Sequence, residues 1–91
     1  MAKEQRIIRF AGHVQGVGFR FNTCRAAGAF DVTGTVRNCP DGAVECVVEG
    51  ESDEIAAFLQ ALDDRMGYSI HSRTEASAPY IGRFHAFGVA Y

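Results

Sequence analysis

Changes in the spacing of apolar residues divide this chain into elements. Residues Gln5-Ala11 mix Ile7, Ile8 and Phe10 with Arg6 and Arg9, the pattern of a half-buried strand. Three glycines between Gly12 and Gly18 interrupt it. From Phe19 to Phe30, the positions Phe19, Asn22, Thr23, Ala26, Ala27 and Phe30 recur at helical spacing, with Arg25 and Gly28 on the other side. Val32-Asn38 reads as a strand, Cys39-Pro40-Asp41-Gly42 has the chemistry of a tight turn, and Ala43-Glu49 returns to complete a hairpin.

In the second half, Ser52 is the expected N-cap of a helix whose first turn carries Asp53 and Glu54. Ile55, Phe58, Leu59, Leu62 and Met66 form its apolar stripe, and Gly67 is the expected stop. A weak polar strand follows near Ser69-Glu75, then a loop around Ala78-Pro79 and a terminal strand over Arg83-Tyr91. The order strand, helix, strand, strand, helix, then one or two strands predicts an α+β protein. Its architecture is a ferredoxin-like α/β sandwich, with two helices on one face of a four- or five-stranded, mainly antiparallel sheet.

Composition narrows this picture. A chain of 91 residues is near the size at which one core folds without crosslinks, so residues 1-91 are expected to form a single domain. Hydrophobic residues make up 47% of the chain, with seven Phe and three Tyr, yet no run approaches the roughly 20 apolar residues of a membrane span. The charged start, Met1 to Arg6, lacks a leader-like apolar stretch, and a cytoplasmic protein with no membrane partner is expected. Cys24, Cys39 and Cys46 cannot pair completely and have neither zinc-site nor Cys-x-x-Cys spacing, which fits reduced thiols. A net charge of -2 argues against general nucleic-acid binding.

The sharpest chemical feature is Gly12-His13-Val14-Gln15-Gly16-Val17-Gly18-Phe19-Arg20, between the first strand and the first helix. Glycines there permit positive backbone angles, so consecutive N-H groups can converge on an anion. The helix start adds unsatisfied donors and the positive dipole end, and Arg20 adds a bidentate guanidinium. This is neither a Walker loop, which ends Gly-Lys-Ser/Thr, nor the dinucleotide fingerprint, which needs Gly or Ala where Phe21 stands.

The stretch Val14-Gln-Gly-Val-Gly-Phe-Arg20 resembles the signature loop of the acylphosphatase family. Gly34-Thr-Val-Arg-Asn38, followed by Asp41-Gly42-Ala-Val-Glu45, is similar to that family's other signature, and Phe84-x-x-Phe87-x-Val89-x-Tyr91 to its last strand. The region Ser69-Pro79 matches poorly. The resemblance implies hydrolysis of acyl phosphates to a carboxylate and inorganic phosphate, with no metal, no cofactor and no covalent intermediate. It also implies a phosphate cradled by the backbone of Gln15, Gly16, Val17, Gly18, Phe19 and Arg20. Arg20 and Asn38 are then the catalytic pair, Arg20 binding phosphate and Asn38 orienting water. The expected partners are a small acyl phosphate and inorganic phosphate as product and competitive inhibitor, acting on a monomer.

Other chemistry lacks its spacing. The positions six residues after the cysteines are Phe30, Glu45 and Ser52, where a cysteine phosphatase needs Arg. Cys24 and Cys46 read as packing residues, and Cys39 as a more exposed turn residue. His13, His71 and His85 lie far apart, and Asp63-Asp64 diverge by about 100 degrees on a helix. Alternation sends Arg37 to the face opposite Asn38. The alternative function on the same fold is a non-catalytic phosphate- or anion-binding regulatory module. A domain cut from a larger carbamoyl-transfer maturation protein is a further alternative, which the start and finish of the chain within 91 residues disfavour.

Overall fold

The computed structural model describes residues 2-91. The elements are β1 (Lys3-Gly12), α1 (Phe19-Ala27), β2 (Val32-Asn38), β3 (Val44-Glu51), α2 (Ser52-Met66), β4 (Ile70-Pro79) and β5 (Phe87-Val89), with one 3-10 turn at Gly67-Ser69. The strands form one sheet in the order β4-β1-β3-β2-β5. All neighbours are antiparallel except β2 and β5, which run parallel with Val36 opposite Val89. The fold is the α+β, ferredoxin-like arrangement, with five strands.

Alternation within the three central strands builds the core. Ile8 and Phe10 of β1, Val44, Cys46 and Val48 of β3, and Val32 and Val36 of β2 are buried with the apolar faces of both helices. α2 contributes Ile55, Phe58, Leu59, Leu62 and Met66, the stripe read from its periodicity. Each such side chain adds about 1.5-3 kcal/mol on full burial, enough for modest helical propensities to be overridden by packing. α1 buries Phe19, Thr23, Ala26 and Ala27, and Phe30 packs against the core from beyond its end.

Four details differ from the sequence reading. α1 ends at Ala27, not Phe30, because the N-H groups of Ala29 and Phe30 switch to carbonyls three residues back. Ser52 is the first helical residue rather than the cap; its hydroxyl donates to Glu4 Oε2 at 2.6 Å, tying α2 to β1. Gly67 stays right-handed (φ -57°) and leads into the 3-10 turn. β4 extends through Ala78 and Pro79, while the last strand shrinks to Phe87-Val89. Edge pairing to β1 defines β4, so its exposed polar side chains carry no alternation, and a proline is tolerated at its end. Residues 80-86 do not join β5 because they cross to the opposite edge of the sheet.

Candidate active site

Core residues hold both ends of the loop after β1. Val14 is 1% exposed and Phe19 2%, and the Phe19 ring centroid lies 5.1 Å from that of Phe10. Val17 packs against the same core. Gly16 and Gly18 lie on the exposed side, both at φ 78°. A Cβ at Gly16 would meet nothing within 4 Å, and one at Gly18 only Asn22 Nδ2 at 3.6 Å. Glycine is therefore required by backbone conformation and not by lack of space, and positive angles of this kind allow successive N-H groups to converge on an anion.

Gly18 is also the N-cap of α1, and it offers no side chain to the first-turn N-H groups. No acidic residue stands in that turn, so neither a cap nor a carboxylate of the turn itself offsets its donors and positive dipole end. Arg20, half-buried in the same turn, holds its guanidinium over the Tyr91 ring, 5.7 Å from the centroid. Arg6, Arg9, Arg37 and Arg73 all have carboxylate partners; among the described residues Arg20 has none.

Asn38 ends β2, opposite Val44. Arg37 does point to the other face, where it pairs with Glu45 at 3.0 Å. Four residues back on the same strand, Gly34 begins the signature, where a Cβ would collide with the Val47 carbonyl oxygen. The turn after Asn38 is closed by Cys39 N-H to the Ala43 carbonyl (2.8 Å) and Gly42 N-H to the Cys39 carbonyl (3.1 Å). Cys39 is buried at 5% exposure, against the expectation of a more exposed turn thiol, because Arg9 and the loop close over it.

Two side chains brace this turn. Arg9 donates to the Asp41 carboxylate and to Cys39 Sγ. The Ala43 N-H first, and then Arg9, hold the Asp41 carboxyl below its ordinary range; Asp41 in turn raises the Arg9 pKa. Gln15 Nε2 donates to the carbonyls of Cys39 (2.8 Å) and Ala43 (2.9 Å), tying the glycine loop to the turn that carries Asn38.

A cavity of about 420 Å³ joins these parts. Gly16, Gly18, Phe19 and Arg20 line it from the loop and helix start, and Asn38 from β2. The Gln15 side chain is engaged with the turn, and Val17 with the core. The far side is formed by Phe21, Cys24, Val89 and Tyr91, which the sequence reading did not assign to the site. A signal for two of them existed. Phe87 packs at a tilt against Phe58 of α2, ring centroids 5.5 Å apart, and a period of two carries Val89 and Tyr91 to the same face. Desolvation raises the pKa of the Cys24 thiol. His13, His71 and His85 are exposed, and among the described residues no three His, Cys, Asp or Glu side chains cluster as metal ligands.

Comparison with known proteins gives a consistent result. The Acylphosphatase family model matches residues 6-89. An acylphosphatase of an Arthrobacter species is 44% identical over 85 residues, covering 91% of this chain and 77% of that one. One from Listeria welshimeri is 44% identical over 62 residues, 68% of this chain and 67% of that one. The crystal structure of acylphosphatase from Bacillus subtilis superposes with a TM-score of 0.85 at 30% identity, covering 99% of this chain and 100% of that one.

Proposed function

The chain belongs to the acylphosphatase family, and from that premise we propose how it hydrolyses acyl phosphates to a carboxylate and inorganic phosphate. The phosphoryl group rests on the backbone N-H groups of residues 15-20, with the Arg20 guanidinium across two of its oxygens. The Asn38 amide holds the attacking water. Neutral Asn accepts from the water and donates to an oxygen gaining charge, and it does not repel a phosphate dianion as Asp would.

The water oxygen bonds to phosphorus as the bond from phosphorus to the acyl oxygen breaks. The electron pair leaves with the carboxylate, and the water's proton passes to a phosphate oxygen. A carboxylate, with an ordinary pKa of about 4, departs without protonation, so no general acid is needed. All these groups come from one chain, and the enzyme acts as a monomer.

One observation carries this mechanism: Arg20, without a carboxylate partner among the described residues, and Asn38 line one cavity with the left-handed glycines at the α1 N-terminus. The test is phosphate release from acetyl phosphate, compared with a phosphate monoester, in buffer treated with EDTA. Fast release from the acyl phosphate alone, surviving EDTA and inhibited competitively by phosphate, is expected. Phosphate binding without release would identify an anion-binding module and overturn the mechanism. Loss of turnover in EDTA with recovery on adding a divalent ion would do the same.

A further inference from the structure

Glu49 is a buried carboxylate for which the mechanism above has no use. It is 1% exposed, on the sheet face away from the helices, in register with Gln5 on one side and Thr33 on the other. Its oxygens accept from Gln5 Nε2 (3.0 Å), Ile81 N-H (2.8 Å) and Gly82 N-H (3.0 Å). Two of those donors belong to the segment that leads from β4 to β5.

That segment has a demanding path. β4 and β5 are opposite edges of the sheet, four strand spacings apart, or roughly 19 Å. The residues between Pro79 and Phe87 reach at most about 27 Å when fully extended, so the crossing takes most of their length. Tyr80, Ile81 and Gly82 are exposed and form no regular structure, so the chain is fixed there by Glu49 and by Lys3 over the Tyr80 ring. Beyond the crossing, β5 spans only three residues and is held to β2 by Gly34 N-H to the Ala86 carbonyl and Ala90 N-H to the Val36 carbonyl. β5 then delivers Val89 and Tyr91 to the cavity, with Tyr91 beneath Arg20.

We propose that Glu49 is a positioning residue for the phosphate site, fixing the crossover that docks β5 and so braces Arg20 through Tyr91. It acts from a distance: Glu49 stands five residues along β3 from Val44, the partner of Asn38, or about 17 Å. The effect on substrate rests on the role given to Arg20 above; the docking of β5 does not.

The test is Glu49→Gln in the full chain, read by amide hydrogen exchange and steady-state kinetics. The Gln amide cannot accept all three donors, so the Gly34 and Ala90 amides should exchange about tenfold faster while those between β1 and β3 keep their protection. KM and the phosphate inhibition constant should rise about 2- to 5-fold, the scale of an exposed cation-ring contact, with kcat within about twofold. Tyr91→Ala should give the same rise, and adding Glu49→Gln to it should add nothing. Unchanged exchange at Gly34 and Ala90, or a KM effect that persists in full in the Tyr91→Ala background, overturns the proposal. If Arg20 does not hold phosphate, the exchange result stands while the kinetic one vanishes. Should Glu49→Gln not fold, the pair Gln5→Leu with Glu49→Leu removes the pin without leaving Gln5 as a lone buried partner, the N-H groups of the exposed Ile81 and Gly82 turning to water, and the same readings apply.

Discussion

The side-chain amide of Gln15 lies 2.8 Å from the carbonyl oxygen of Cys39, so the glycine loop is bonded directly to the residue after Asn38. In the proposed mechanism this contact sets the distance between the phosphate cradle and the water-holding amide. Both carbonyls that Gln15 reaches have a second donor, Gly42 N-H for Cys39 and Cys39 N-H for Ala43. Gln15→Leu therefore leaves neither unpaired, and the loss of stability should be only about 0.5-1.5 kcal/mol in denaturant unfolding. Turnover should suffer more, with kcat down about tenfold, because reacting groups tolerate small displacements poorly. A folded variant at the parental rate would show that the tie has no role in alignment.

Arg20→Lys keeps the charge but replaces a planar fork with a point donor. The phosphate inhibition constant should rise about tenfold, and kcat/KM should fall about 100-fold, with the unfolding midpoint little changed. Parental inhibition and rate in this variant would remove Arg20 from the site.

Gly16 separates conformational from steric demand, since its surroundings leave room for a Cβ while its φ is 78°. Gly16→Ala should cost about 1-2 kcal/mol and weaken phosphate binding, and Gly16→Asn should cost less because Asn tolerates the left-handed region. Equal losses from both would point to the side chain filling the cavity, not to backbone strain.

How much of this was legible beforehand varies with the physical origin of each feature. Packing periodicity exposed α2 through Ile55, Phe58, Leu59, Leu62 and Met66, and the glycine signature located the loop and Arg20. β4 was read too short because backbone pairing to β1 makes it a strand, while residues 71-77 are exposed and lack an apolar face. Val89 and Tyr91 enter the cavity only through the crossover from β4 to β5, where Ile81 donates to Glu49, 32 residues away in sequence, so the chain order alone does not place them at the site. Ser52 looked like a cap, yet tertiary contact with Glu4 claimed its hydroxyl.

Asp41 gives the turn a pH dependence. Its folded pKa is lowered, by the Ala43 N-H first and then by Arg9, so its contribution to stability is present above the ordinary aspartate pKa of about 3.9 and is lost as pH falls through the folded value. The gap in melting temperature between the parent and Asp41→Asn should thus narrow as pH falls from about 6 to about 2. A gap independent of pH would mean that the ionised carboxylate is not what holds the turn.

The most direct measurement is kcat for acetyl phosphate and the phosphate inhibition constant in folded Asn38→Ala. Losing a positioned amide should lower kcat about 100- to 1,000-fold, or roughly 2.7-4 kcal/mol of transition-state stabilisation. The inhibition constant should stay at the parental value, since the proposed mechanism gives phosphate to the loop and Arg20. A parental kcat, or a defect confined to weaker phosphate binding, would contradict the assignment of Asn38 to the attacking water.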